Sequence, residues 1–206
     1  INGPLVDKIG SKKGMLLATG GSSIANIAMG IVTYMFLNDL LTLDMTITLS
    51  ILYSVNMFFQ SYGAVSIIKN KAYWFHVRER GIFGAIFGSL ISIGIYFAFD
   101  LNSKIADAAS VNPKNPGFLS DLFNSTAGTG SVDAVWFVFF VPALLLLFWL
   151  FLDSILVKDM PSQAGHDDFD THDASSGIMH IEMTKREMLK KVFTNPIIMM
   201  VAAIEF

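Results

Sequence analysis

Four stretches without a single Asp, Glu, Lys or Arg dominate the chain: residues 14–38, 45–68, 81–99 and 134–152. Each reaches or approaches the ~20 residues that cross a bilayer core as a helix. The chain is 53% hydrophobic and 15% charged. A soluble domain has ~45–50% apolar and ~25% charged residues. Here the missing charge is missing in blocks, which predicts an all-α membrane protein. A fifth apolar run, 192–204, is followed by Glu205 and the last residue.

The cations are placed unevenly. Of the 14 Lys and Arg, all but Lys104 and Lys114 fall in 1–13, 69–80 and 158–191, which are alternate loops of a four-span chain. The positive-inside rule makes those loops cytoplasmic. Span count and charge bias are independent signals, and they agree. The expected course is outward over 14–38, a short turn at Asn38–Asp44, inward over 45–68 and outward over 81–99. A polar, turn-rich outer loop over 101–133 follows, then an inward span over 134–157. The sequence begins at Ile1 without Met and meets the membrane at once, so it reads as an interior piece of a larger multi-pass protein.

The expected organisation is a partial helical bundle over 1–157, a central cytoplasmic loop over 158–195, and the start of a second bundle over 196–206. The stretch 158–183 lacks periodicity and reads as a linker. "TKRE" at 184–187 is a capping box, with Thr184 as cap and Glu187 reaching back. Asn195-Pro196 then suits a cap and first-turn proline. The cluster "HDDFDTHD" (166–173) has no EF-hand spacing and reads as solvated linker rather than metal site. With no cysteine, disulfide and thiolate sites are excluded. No nucleophile–base pair, phosphate loop or zinc pattern is present. The expectation is a non-enzyme without metal or cofactor and without nucleic-acid partner, acting as a monomer on a small-molecule solute in membrane lipid.

The spans differ in character. Residues 134–152 are apolar on every face, as on a lipid-facing helix. In 81–99, Gly84, Gly88 and Ser92 share an arc, and small residues allow close helix approach in lipid. Static packing and a sliding contact are both open readings of that arc. In 45–68, Tyr53, Asn56 and Gln60 are spaced i, i+3, i+7, with Gly63 continuing the stripe. Polar side chains in a bilayer core need a partner or a watered cavity. Bonding to a neighbouring helix and lining a solute cavity both fit. Tyr62 and Ser66 are expected to pack against neighbours.

The segment "GPLVDKIGSKK" (3–13) carries a further signal. It resembles the G-x-L-x-D-x-x-G-x-[KR]-[KR] motif of the major facilitator superfamily, with Gly3, Leu5, Asp7, Gly10, Lys12 and Lys13 in register. The glycines permit a tight helix–helix turn, and Asp7 could bond amides at a helix N-terminus. The resemblance implies that the four runs are the third to sixth spans of a secondary transporter, and 196–206 the start of the seventh. It makes Gly3, Asp7, Gly10, Lys12, Lys13 and Arg80 a cytoplasmic gate, and the span 45–68 a cavity wall. A narrower resemblance is to the organophosphate:phosphate antiporter branch, which holds the glycerol-3-phosphate and hexose-phosphate transporters. "WFHVRERG" (74–81) is similar to its W-x-x-x-x-E-R-G loop, and "NPIIMMVAAIEF" (195–206) to its seventh-span entry. Of that branch's R-G-x5-W-N-x-x-H-N-x-G-G signature, Arg80, Gly81 and Gly94 match, while Phe87, Gly88, Ile91 and Ser92 depart. The implied function is alternating-access transport of a small polar or anionic organic solute, phosphorylated solutes included. The alternatives are a non-transporting sensor of the same fold and a self-standing four-helix structural protein.

Overall fold

The computed structural model describes residues 2–127 and 133–168, with 187, 190, 193–196 and 198–200 beyond them. The chain divides into two units, 1–171 and 172–206. The described part of the first holds α1 (Asn2–Ile9), α2 (Ser11–Leu37), α3 (Met45–Trp74), α4 (Arg80–Ala108), α5 (Phe118–Ala127) and α6 (Phe137–Leu156), then a 3-10 turn at Pro161–Ala164. Among the described residues there is no strand. Four helices, α2, α3, α4 and α6, are long and apolar enough to cross a membrane. Their order and polarity match the four uncharged runs.

Helix α2 lies between α3 and α6 and packs along both. Its sequence explains why. Small residues recur on it, and Gly14, Ala18, Ser22, Ser23 and Ala25 are buried. Apolar side chains gain nothing by leaving lipid for a neighbouring helix, so close backbone approach and dispersion hold such helices together. A methyl at Gly14 would lie 2.1 Å from Ser66 Oγ of α3. One at Gly21 would lie 2.2 Å from the Phe59 ring, and one at Gly30 2.7 Å from the Phe140 ring of α6. Ser23 Oγ donates to the Ala143 carbonyl of α6 at 3.1 Å.

The arc of Gly84, Gly88 and Ser92 on α4 makes no comparable contact. Added methyls at both glycines meet nothing within 4 Å. Ser92 Oγ returns to the Gly88 carbonyl of its own helix at 3.1 Å. Among the described residues, close small-residue packing is made by α2, which packs along both α3 and α6. Helix α6 is half-buried or exposed along its length, with Ala143 its one buried residue, in keeping with its uniform apolarity.

Two boundaries differ from the hydropathy reading. Helix α3 runs on through the polar "KNKAYW" to Trp74, so the connection to α4 is only 75–79. Its last carbonyls, of Ala72 and Phe75, accept from the Arg80 guanidinium at 2.8 and 3.2 Å. A cation at a helix C-terminus also suits the macrodipole. The loop expected over 101–133 is instead ordered at both ends. Helix α4 continues to Ala108, and α5 folds back so that Ile105, Ala108, Ala109, Phe123, Ala134 and Trp136 form a small core. Asp107 accepts the amides of Lys114 and Asn115 at 2.9 and 3.1 Å, and Asp133 that of Val111 at 2.7 Å. Carboxylates that accept loop amides let a polar sequence fold without apolar periodicity.

In the second unit, Asn195 Oδ1 accepts the Ile198 amide at 3.4 Å and its carbonyl the Met199 amide at 3.1 Å. This is the expected cap ahead of Pro196. Thr184 of the capping box and most of the cluster 166–173 lie outside the described residues.

Candidate functional site

The motif 3–13 forms a joint rather than a loop. Helix α1 ends at Ile9, Gly10 turns the chain, and α2 starts at Ser11. Gly10 has φ 93° and ψ 159°, a region essentially restricted to glycine. The turn aims the free amides at the start of α2 toward the end of α6. There Asp159 Oδ1 accepts the Ser11 hydroxyl at 2.6 Å and the Lys12 amide at 2.7 Å. Lys12 Nζ donates to the Ser154 carbonyl at 2.7 Å, binding the same two elements a second time. Burial pushes the Asp159 carboxyl upward. The Ser11 hydroxyl, the amides of Lys12 and Ser11 and the Lys69 charge outweigh it and hold the group below its ordinary value.

Asp7 is placed differently from the expectation that it bonds helix amides. Its carboxylate pairs with Lys69 of α3 at 3.4 Å, and its side chain is 72% exposed against 18% for Lys69. Lys69 Nζ also donates to the carbonyls of Val6 and Asp7 at 3.1 and 3.0 Å, closing the C-terminal end of α1. The carboxylate at the amides is Asp159, a residue the sequence reading assigned to a linker. No local pattern marks it, since Ser11 and Asp159 are 148 positions apart. Gly3 has open space around it, and Lys13 is exposed. Arg80 sits one helix away, closing α3 as described. The joint therefore gathers α1, α2, α3 and the end of α6.

The stripe Tyr53, Asn56, Gln60 straddles the edge of the α2–α3 seam. Asn56 is 4% exposed and Tyr53 56%. Gln60 Nε2 donates to Asn56 Oδ1 at 3.2 Å, so the buried amide is linked to an exposed one a turn away. Tyr53 lines a groove with Met29, Ser50 and Phe139. Tyr62 packs with Val6 and Ala18, and Ser66 against Gly14, as expected of residues that contact neighbours.

No family model, curated protein or solved structure matches the chain. What the fold itself defines is a helical protein with four apolar helices of membrane-spanning length, which fits a membrane-embedded protein.

Proposed function

We propose that these four spans are the third to sixth of a major facilitator transporter, which moves a small polar or anionic organic solute by alternating access. The observation that supports this most is the joint at Gly10. The residues that resemble the superfamily motif coincide with a turn at positive φ, braced from α3 and α6. Transporters of this kind carry solute near the midplane between rocking halves. A gate needs contacts that hold in one conformer and release in the other, and hydrogen bonds to a few helix-end groups can do that. Gly3, Asp7, Gly10, Lys12, Lys13 and Arg80 serve this gate, with Asp159 as its carboxylate. Uptake by the reconstituted full-length protein tests the reading. Solute binding without flux would make it a sensor.

The inner loops 1–13, 69–80 and 158–195 are cytoplasmic in this proposal. A cysteine replacing exposed Arg78 should then resist an impermeant thiol reagent in intact cells, and one replacing Lys114 should react. Equal labelling at both positions would end the four-span topology.

Tyr53, Asn56 and Gln60 are the proposed solute contacts. Gln60→Ala should weaken solute affinity while the unfolding temperature hardly moves. The lost Asn56 bond contributes only about 0.6 kcal/mol on the average for membrane helices. Unchanged affinity would remove the stripe from the site. Selection of a phosphorylated solute, as in the organophosphate antiporters, would need cations from outside the four uncharged runs.

A further inference from the structure

At the inner end of the bundle, α2, α3, α4 and α6 border a cleft of about 350 Å³. This volume is at the low end for small-molecule sites. Its lining is mostly apolar and aromatic, with Met15, Ile67, Trp74, Phe83, Phe87 and Leu156. Two lysines, Lys71 and Lys158, and the amide of Asn70 are its polar members. Lys71 Nζ lies 5.7 Å from the centre of the Phe83 ring and 3.4 Å from the Arg80 carbonyl. Lys158 gives its carbonyl to the Trp74 indole at 3.2 Å. Neither ammonium pairs with a carboxylate among the described residues. Two cations without an acid partner among the described residues therefore border a greasy recess at the level where the spans end.

We infer that this cleft binds an anionic phospholipid of the adjoining leaflet, with the phosphodiester at Lys71 and Lys158 and an acyl chain along Phe83 and Phe87. The chemistry selects this occupant. A free anion would leave the apolar wall uncovered, and a zwitterionic lipid would bring its own cation toward two lysines. Basic recesses between spans at the cytoplasmic face suit acidic head groups, and the aromatic residues suit the interface. The proposal rests on the inner-leaflet placement given above. Binding in detergent micelles does not depend on sidedness, so failure of either reading can be seen separately from the other.

The test uses the full-length protein with every tryptophan but Trp74 changed to Phe, Trp136 and Trp149 among them, so that Trp74 alone reports. Phosphatidylglycerol with brominated chains should quench Trp74 at lower mole fraction than brominated phosphatidylcholine. Lys71→Gln and Lys158→Gln should each weaken that preference about fivefold, whereas Lys8→Gln, outside the cleft, should leave it intact. Equal quenching by the two lipids, with no effect of the lysines, would overturn the proposal and leave an apolar groove. Displacement of the brominated lipid by inorganic phosphate at the same concentration would also overturn it, in favour of a free-anion site. Should Trp136→Phe disturb folding, native mass spectrometry of the unsubstituted protein and its two lysine variants reads the same preference.

Discussion

Gly21→Ala is expected to destabilise the bundle by about 1–3 kcal/mol, the range for forcing extra volume into a packed interior. The new methyl would lie 2.2 Å from both Cγ and Cδ1 of Phe59. Cγ is the root of the ring, so spinning the ring about its own axis cannot relieve the clash. Either Phe59 changes its χ1 rotamer or α2 and α3 separate. Separation would also loosen the Gly14–Ser66 contact on the same seam. Thermal unfolding in detergent measures the effect, and a wild-type midpoint would show that the helices are not this close. Phe59→Ala in the same chain should recover part of the loss, because the two changes share one contact. Gly14→Ala should be milder. Its clash is with the Ser66 hydroxyl, which can rotate, and Ser66 Cβ stays at 3.4 Å. Ser66 Oγ has no hydrogen-bond partner among the described residues, so Ser66→Ala alone should be neutral or slightly stabilising.

Asp159→Ala should cost about 0.5–2 kcal/mol, as for loss of an N-terminal cap, and should slow transport if the joint is the gate. Two groups at the start of α2 lose their acceptor together, the Ser11 hydroxyl and the Lys12 amide. Gly10→Ala should reproduce the defect by another route. Its backbone conformation is strained for any side chain, at about 1–3 kcal/mol, and the methyl would lie 3.0 Å from Asp159 Oδ2. Asp7→Asn should do less, because an exposed pair of this kind contributes about 0–1 kcal/mol. The pH dependence has a definite sign. The Asp159 carboxyl titrates below its ordinary value in the folded chain. Its contribution is therefore complete above the ordinary carboxylate range and is lost as pH falls through the lower, folded-state value. Asp159→Asn should flatten the acid limb of stability against pH. An acid limb identical to wild type, together with unaltered transport, would remove Asp159 from the joint.

Much of the architecture is legible without coordinates. Hydropathy compares each segment with lipid, one segment at a time, and four uncharged runs became four long helices. Gly3 and Gly10 pointed to a tight helical turn; Gly10 has the backbone for it, while Gly3 lies within α1. Asn195 and Pro196 marked a helix start through local capping alone. Even the seam on α2 was accessible, since Gly14, Ala18, Ser22 and Ala25 recur at helical spacing; the G-x-x-x-G of α4 drew the reading there instead.

Other features lay beyond any local window. Small residues permit close approach but do not say which helix approaches, so the partners of α2 and the bare arc of Gly84 and Gly88 depended on tertiary placement. The segment 101–133 looked like a loop because its described part is held by Asp107 and Asp133 accepting distant amides, and by Phe123 reaching Trp136 and Phe137, rather than by periodicity. Asp159 reads as one more acid in a linker until the turn at Gly10 aims the amides of α2 at it. The sequence by itself determined which segments can enter lipid and where the chain can turn sharply, because those depend on solvation and backbone sterics of neighbours in the chain. Only the tertiary structure decided which faces touch and which carboxylate holds the joint, because volume fit and hydrogen-bond geometry are properties of atoms brought together across the bundle.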